Sequence, residues 1–334
     1  MFKTTNVQNQ TSAASTGSGK EWLSATGSLP IPMTNDYLFR ALLQNNNYVL
    51  KGLICALLHL SYEEVNSVAI INPIILGEAI DEKTFFLDIF VSLNNHSRIN
   101  LELQVINEQN WTERSLSYLC RAFDNLNSGE NYSVVRPAIQ IGLLDFTLFP
   151  QYPEFYATYQ FMNIKNYMVY SDKMRLSVLN LTCKDLATRE DKKCHLNLWA
   201  SFFKSTTWEE LKMLAKQDKF INEASETIYQ LTQEEQVRLQ CEAREDYYRR
   251  QRTIQYNLDK QKDTIESQNT TIENQNATIE KQNITIKNQN TTIQQLTDKT
   301  TSQENKITSQ EEKITFLQEE IASLKQLLSD AGIM

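Results

Sequence analysis

The chain has 334 residues, of which 41% are hydrophobic and 10% aromatic, but only 8 are Gly and 6 are Pro. So few turn-forming residues predict long uninterrupted secondary structure somewhere in the chain. No apolar run approaches the ~18 residues of a membrane span, which argues against a transmembrane protein. The formal net charge of −8 argues against a protein that holds nucleic acid through bulk basic charge.

The first 29 residues are rich in Ser, Thr, Asn, Gln and Gly and lack an apolar core. They are predicted to be a disordered polar tail and not a secretory signal. The five cysteines are scattered without a C-x-x-C pair, and only three histidines are present. This pattern argues against a disulfide framework or a zinc site and favours a reducing, cytoplasmic setting.

Residues 30–150 have the pattern of a mixed α/β unit. A helix is predicted from Asp36, a second apolar helix over residues 50–60, and an apolar β-rich run over residues 68–76. Farther along, residues 137–146 are predicted to form a buried strand.

Two runs of alternating apolar and polar residues, 84–93 and 98–106, are joined by the turn-forming Asn-Asn-His-Ser. This arrangement predicts a β-hairpin. Matching the two apolar faces requires a register in which Ile89 opposes Leu101, or a two-residue slip of it.

The predicted register brings acidic residues together. It sets Asp88 opposite Glu102, with Gln104 two residues farther along the same face. Two carboxylates on a partly buried face need a cation, a shared proton or an arginine. Mg²⁺ suits two oxygen ligands plus waters, and its bound water becomes a nucleophile near neutral pH. Ordinary solvent-facing strand residues are the alternative interpretation.

Residues 111–127 are predicted to form a two-sided helix. Arg114, Tyr118 and Arg121 make one polar stripe. The opposite side is predicted to be core and consists of Leu116, Leu119, Cys120, Phe123 and Leu126. After it, residues 151–250 are predicted to be a helical extension in which the WASFF segment serves packing.

From Leu258 onward the sequence repeats every seven residues. Ten of the eleven positions at this spacing are Ile or Leu, and the other is Thr. The eleven are Leu258, Ile265, Ile272, Ile279, Ile286, Ile293, Thr300, Ile307, Ile314, Ile321 and Leu328. If these residues occupy position a of the heptad, position d is mostly Gln at first and includes Leu farther along the chain. The pattern predicts a coiled coil over residues 251–330 that makes homo-oligomers, with a parallel dimer favoured over a trimer. A disordered polar tract is the alternative.

The chain resembles the PD-(D/E)XK nuclease family transposases, the recombination-promoting nuclease group. The resemblance covers roughly residues 31–250. The segments that carry it are MTNDYLFRALL (33–43), LKGLICALL (50–58), LDIFVSL (87–93), INLELQV (99–105), ERSLSYLCRAFDNLNSGENYSVVRPAIQIGLLDF (113–146) and WASFF (199–203).

The resemblance implies a restriction-endonuclease-like mixed sheet flanked by helices and metal-dependent cleavage of DNA. It implies Asp88 and Glu102 as ligands of Mg²⁺ or Mn²⁺. Gln104 stands where other branches have Lys and cannot supply a positive charge. Asp36 matches an acidic residue of the first helix that holds a metal-bound water; a carboxylate favourable to the helix dipole is the alternative. Arg114 would replace the missing charge at the scissile phosphate, unless it belongs to a solvated face.

The sequence thus predicts a cytoplasmic, Mg²⁺-dependent DNA endonuclease associated with recombination or transposition. Its partners would be DNA and further copies of itself, with no membrane. The competing hypothesis is an inactive nuclease fold that acts as a coiled-coil scaffold. A third is an RNA nuclease of the same fold.

Overall fold

The computed structural model describes most of the chain, namely residues 21–72, 89–94, 96–124, 126 and 129–331. The chain divides into two compact units, and the boundary in the sequence lies between Ile254 and Gln255. The predicted mixed sheet flanked by helices is confirmed, and it lies in the first unit.

The described helices are α1 (Asp36–Asn45), α2 (Asn47–Leu58), α3 (Trp111–Phe123), α4 (Arg189–Lys193), α5 (Leu196–Phe203), α6 (Trp208–Ala215), α7 (Lys219–Gln233) and α8 (Glu235–Asp330). The described strands are β1 (Val68–Ile70), β2 (Ile89–Leu93), β3 (Ser97–Gln104), β4 (Ala138–Leu144), β5 (Tyr156–Tyr159) and β6 (Met174–Asn180). Short 3₁₀ helices cover Glu21–Ser24, Tyr132–Val134 and Lys184–Leu186.

The six strands form one sheet in the order β1-β2-β3-β4-β6-β5. Strands β1, β2 and β3 are antiparallel neighbours, β3, β4 and β6 are parallel, and β5 is an antiparallel edge strand. Parallel neighbours need a long crossover connection. Helix α3 lies within the crossover from β3 to β4 and packs against both strands.

The predicted hairpin register is confirmed over the described residues. Ile89 pairs with Leu101 and Val91 with Ile99. The apolar alternation explains this register, because a one-residue slip would turn the buried side chains of β2 to the opposite face. The predicted partner of Glu102, Asp88, lies outside the described residues.

The two faces of the sheet are covered differently. The face that carries Ile89, Ile99 and Leu101 packs into the main core with residues of α1, α2, α5 and α7. The other face carries a smaller core under α3. Its members are Trp111, Leu119, Ala122, Ala138, Leu144, Leu176 and Val178.

Helix α3 is shorter than predicted and differs in its buried side. It ends at Phe123 instead of residue 127, with Asp124 as its C-cap. Leu116 and Cys120, predicted to be core, are exposed. Trp111 and Ser115 are buried instead, because the large indole decides which stripe of the helix lies against the sheet.

Two further expectations are wrong in part. The segment after residue 150 is not simply helix-rich, because β5 and β6 lie there and complete the sheet. The predicted disordered tail is ordered over residues 21–29: the Trp22 side chain is 1% exposed, and the Leu29 amide donates to the Thr206 carbonyl at 2.8 Å. Burial of the Trp22 indole removes a large apolar surface from water and so stabilises this segment despite its polar composition. Residues 1–20 lie outside the described residues.

The later segments behave as predicted in secondary structure. The WASFF segment forms most of α5, and Trp199, Phe202 and Phe203 are buried in the main core. The heptad region is helical as far as Asp330. In the part of the chain that the structure describes, no helix combines the length and apolar character that crossing a bilayer needs.

Candidate active site

A row of buried polar side chains runs along β3 on the face that α3 covers. Asn100, Glu102 and Gln104 alternate with apolar residues, so all three point to the same side of the sheet. Each is less than a tenth exposed, and Glu102 is only 4% exposed. A buried carboxylate of this kind requires hydrogen bonds and a counter-ion.

Arg114 supplies that counter-ion from the first turn of α3. One guanidinium nitrogen, Nη2, donates to Glu102 Oε1 and to Gln104 Oε1. The other, Nη1, donates to Glu108 Oε2 at 3.2 Å. The Gln104 amide is held at its other end too, because its Nε2 donates to the Ile106 carbonyl at 2.9 Å. Arg114 therefore pairs with the buried polar row of β3, and its side chain is 13% exposed.

The second oxygen of Glu102 belongs to an amide chain. Gln140 Nε2 donates to Glu102 Oε2 at 3.4 Å. Gln140 Oε1 in turn accepts from Asn100 Nδ2 at 2.8 Å. The carboxylate thus lies between a guanidinium on one side and a neutral amide donor on the other, and both contacts favour its charged form.

Gly142 of β4 allows α3 to lie close enough for this contact. It pairs with Glu102 across the sheet. A Cβ atom at this position would collide with the Trp111 ring, at Cζ2 and Cη2. The missing side chain lets Trp111, the first residue of α3, lie against the strand and brings Arg114 to β3.

A second ion pair lies at the N-terminus of α1. Asp36 accepts from Arg244 of α8 at both carboxylate oxygens, with Nε to Oδ1 at 2.8 Å. The preceding Asn35 donates to the Cys241 carbonyl at 3.0 Å and to Glu245 at 2.9 Å. The first turns of α8 are thereby fixed to α1.

Tyrosines of α8 lie within reach of these charges. Burial raises the pKa of Tyr247, and the carboxylates of Glu108 and Asp36 raise it further, against the lowering effect of Arg244 and Arg114. Because Tyr247 responds to members of both ion pairs, the Asp36 pair and the Arg114 cluster share one electrostatic neighbourhood.

Cys241 is the buried thiol of this neighbourhood. Burial, with a smaller contribution from Asp36, raises the pKa of Cys241 to about 12. The thiol therefore stays protonated at neutral pH and is a poor nucleophile. We assign it a packing role next to α1.

Comparison with known protein families gives one match. Residues 33–257 match the family described as PD-(D/E)XK nuclease family transposase. The chain belongs to this family. Nothing matches the chain among curated proteins or among solved structures. Membership supports a nuclease- or transposase-related function.

The structure brings together some of the predicted site residues. Glu102, Gln104 and Arg114 meet in one hydrogen-bonded cluster. Asp36 lies in the neighbouring ion pair with Arg244, and Asp88 lies outside the described residues. The roles given to these residues remain predictions.

Three contributors were missed from the sequence: Gln140, Gly142 and Arg244. A glycine within an otherwise apolar strand is a signal of close approach that could have pointed to Gly142. Arg244 reaches Asp36 over 208 positions of sequence, and it is one of several arginines in a charged segment, so no local pattern singles it out.

The donor types of the site suit a hard divalent cation. Glu102 offers a carboxylate and Gln104 an amide oxygen on the same face of β3, and Mg²⁺ and Mn²⁺ prefer oxygen ligands. Within the described residues, no group of three or more acidic, His or Cys side chains is placed to hold a metal ion. The predicted pair of ligands is complete only with Asp88, which directly precedes Ile89 in the sequence.

Proposed function

We propose that this protein is a metal-dependent DNA endonuclease that hydrolyses phosphodiester bonds during recombination or transposition. The observation that supports it best is the cluster of Glu102, Gln104 and Arg114 on one buried face of β3. A structural strand gains little from a carboxylate at that depth, because its burial costs free energy that must be offset by partners.

In this proposal Asp88 and Glu102 hold Mg²⁺ or Mn²⁺. When bound, the ion supplies polarisation of the phosphodiester and activation of a water molecule. When the substrate binds, Arg114 moves from Glu102 and donates hydrogen bonds to the phosphoryl oxygens of the substrate. The amide oxygen of Gln104 orients the Arg114 guanidinium. The Gln104 side chain is itself held in place, because its Nε2 donates to the Ile106 carbonyl. Asp36 holds a water at the edge of the site.

One observation favours the competing function, an inactive nuclease fold that acts as a scaffold. Arg114 neutralises Glu102 directly, so the buried cluster is satisfied without a metal ion. The same contact is also compatible with an enzyme in which Arg114 moves from Glu102 to the phosphate when the substrate binds. Activity measurements separate the two functions.

The test is nicking of supercoiled plasmid by the full chain, with Mg²⁺, with Mn²⁺ and with a chelator. We expect metal-dependent nicking by the unaltered chain. Asp88→Asn and Glu102→Gln should each slow it at least about 100-fold, because loss of a ligand costs more than loss of its supporting contact. A single-stranded RNA substrate in parallel tests the RNA nuclease alternative.

Glu108→Gln is the matched control, because Glu108 binds the same arginine at 3.2 Å but has no proposed role with the metal. This variant should keep its nicking rate within a few-fold. If the unaltered chain shows no metal-dependent nicking, or if the Asp88 and Glu102 variants nick as fast as the control, the nuclease proposal is wrong and the scaffold function is favoured.

The proposed partners include further copies of the chain. The apolar positions of the heptad region, such as Ile265, Ile272 and Ile279, are about half exposed on a single helix. Burying them against a second helix would remove this apolar surface from water. We therefore propose a coiled-coil homo-oligomer, with a dimer favoured over a trimer. A cytoplasmic location is part of the same proposal, and all five cysteines are free thiols in the structure.

A further inference from the structure

The second unit of the chain is a helix with one apolar stripe that its own unit does not cover. The stripe consists of the a positions from Leu258 to Leu328 and the leucines at d. Most residues around it are polar or charged, with Ile284, Phe316 and Leu327 as the large apolar exceptions, so the stripe is narrow. A strict seven-residue spacing of this kind is the mark of a left-handed coiled coil.

We infer that the occupant of this stripe is a second copy of the chain, in parallel orientation, and that residues 296–328 set the register of the two helices. The inference rests on the proposed oligomer and adds its orientation and alignment. The repeats that come before residue 296 contribute length but little alignment.

The four heptads over residues 264–291 are nearly identical: TIESQNT, TIENQNA, TIEKQNI and TIKNQNT. Sliding one helix by seven residues therefore exchanges Ile for Ile at a and Gln for Gln at d. The free energy of the pair hardly changes. This part of the helix cannot choose its own alignment.

The leucines at d begin only at Leu296 and continue with Leu317 and Leu324. In an in-register parallel dimer each leucine faces its own copy. A slip of seven residues places Leu296 against Gln303 and leaves a glutamine amide buried beside an apolar side chain. That arrangement costs free energy, because the amide loses its water without gaining a partner.

Thr300 is the single polar residue among the a positions. Its hydroxyl donates to the Leu296 carbonyl of the same helix at 3.0 Å. The hydroxyl is thus satisfied within the helix, and two copies of Thr300 can face each other without an unmet hydrogen bond. A slipped pair would instead set Thr300 against Ile293 or Ile307. A single small polar layer of this kind is a known device for fixing register.

Charges beside the stripe agree with the parallel orientation. In a parallel pair, position g of one helix faces position e of the next heptad in the other helix. The resulting charged pairs are all of opposite sign, namely Lys299 with Glu304, Lys306 with Glu311 and Glu320 with Lys325. A slip of seven residues loses half of these attractions and sets Lys313 against Lys325.

The antiparallel orientation is disfavoured by the same residues. In an antiparallel pair, g faces g and e faces e. In the alignment that sets Glu304 against Glu311, Lys306 faces Lys313, and Lys299 faces Glu320 as the one attractive pair. Like charges at these positions repel, so the segment discriminates against this arrangement.

The first test is disulfide formation by Thr300→Cys in the full chain, with the exposed Cys120 replaced by Ser. Two cysteines at a facing a positions meet the distance requirement of a disulfide only when the helices are parallel and in register. Ser302→Cys, on the outer side of the same turn, is the matched control. Under mild oxidation we expect at least about fivefold more disulfide dimer from Thr300→Cys than from the control.

The outcomes are distinguishable from failure of the proposed oligomer. A chain that sediments as a dimer but forms no Thr300→Cys disulfide, or one that links equally at both positions, overturns the inferred alignment and leaves the oligomer intact. A chain that sediments as a monomer overturns the oligomer and this inference together. Plasmid nicking reports on the nuclease proposal independently of each result.

The second test uses charge. The double change Lys299→Glu and Lys306→Glu should lower the melting temperature of the helical second unit by several degrees, as followed by circular dichroism at 222 nm. Adding Glu304→Lys and Glu311→Lys to the same chain should restore it, because a parallel pair regains its attractions. An antiparallel pair has repulsion before and after the first change, so an unchanged melting temperature would contradict the parallel orientation.

Discussion

At the scale of single residues, Arg114 decides the state of the site. Its guanidinium contacts two carboxylates and an amide oxygen through two nitrogens: Nη2 donates to Glu102 and Gln104, and Nη1 donates to Glu108. The planar, forked group is suited to holding several oxygens at once, which a lysine cannot do with the same geometry. An arginine on α3 thus places a positive charge next to Gln104, which carries none itself.

Arg114→Met should destabilise the chain by about 3 kcal/mol, because it leaves the Glu102 carboxylate buried without its cation. Adding Glu102→Gln to the same chain should recover most of this loss, because the carboxylate charge is removed as well. Urea unfolding at neutral pH measures both variants. A double variant no more stable than Arg114→Met would show that the arginine acts through packing and not through the ion pair.

At the scale of secondary structure elements, the site depends on how closely α3 approaches β4. The Trp111 ring fills the space above Gly142, and three residues later Arg114 reaches β3. The helix position and the ion pair are therefore coupled, since a shift of the first turn of α3 moves both side chains.

Gly142→Ala should cost about 1–3 kcal/mol of unfolding free energy, because the added methyl group collides with the Trp111 ring. Trp111→Phe removes the part of the ring with which the new methyl group collides. Trp111→Phe should therefore lower the free energy of unfolding less in the Gly142→Ala chain than in the unaltered chain. A double-mutant cycle by thermal or urea unfolding measures the difference. Simple additivity of the two changes would contradict a direct collision.

The elements also show what could be predicted from the sequence. The register of β2 with β3 was largely predictable, because strict alternation leaves only the pairing of Ile89 with Leu101 or a two-residue slip of it. The buried side of α3 was not, because Leu116 and Cys120 suggested an apolar stripe that tertiary packing of Trp111 overrides. Strand β6 was missed although its pattern was available in MRLSVLN (174–180), where Leu176 and Val178 alternate with polar residues.

The site was predictable to a similar extent. Glu102 and Gln104 follow from the strand pattern, whereas the contact of Arg114 with them was not predicted, because Arg114 was expected at the scissile phosphate. The Asp36 partner, Arg244, could not be found, because nothing local links residues 208 positions apart.

At the scale of the whole molecule, the two units differ in what stabilises them. The first unit has a hydrophobic core of its own that includes Trp22, Trp199 and Phe203. The second unit is a helix whose apolar residues are about half exposed. Most helical stability in proteins comes from packing of an apolar face, so under the proposed association we expect the second unit to depend on a partner helix and the first not to.

Thermal unfolding should therefore show two transitions. The one that belongs to the second unit should move to higher temperature as the protein concentration rises, because association stabilises only the paired helix. The transition of the first unit should stay fixed, and it should persist in a chain that ends after Ile254. A helical transition independent of concentration would contradict association.

The near-identical heptads have a consequence for how this helix can change over evolutionary time. Loss or gain of one heptad within residues 264–291 shortens or lengthens the helix by about 10.5 Å and leaves every later residue at position a in phase. Loss of any number of residues that is not a multiple of seven turns the later stripe away from its partner. The segment can therefore act as an adjustable spacer whose length varies in steps of one heptad, while the site on β3 and the segment that aligns the helices are inherited unchanged.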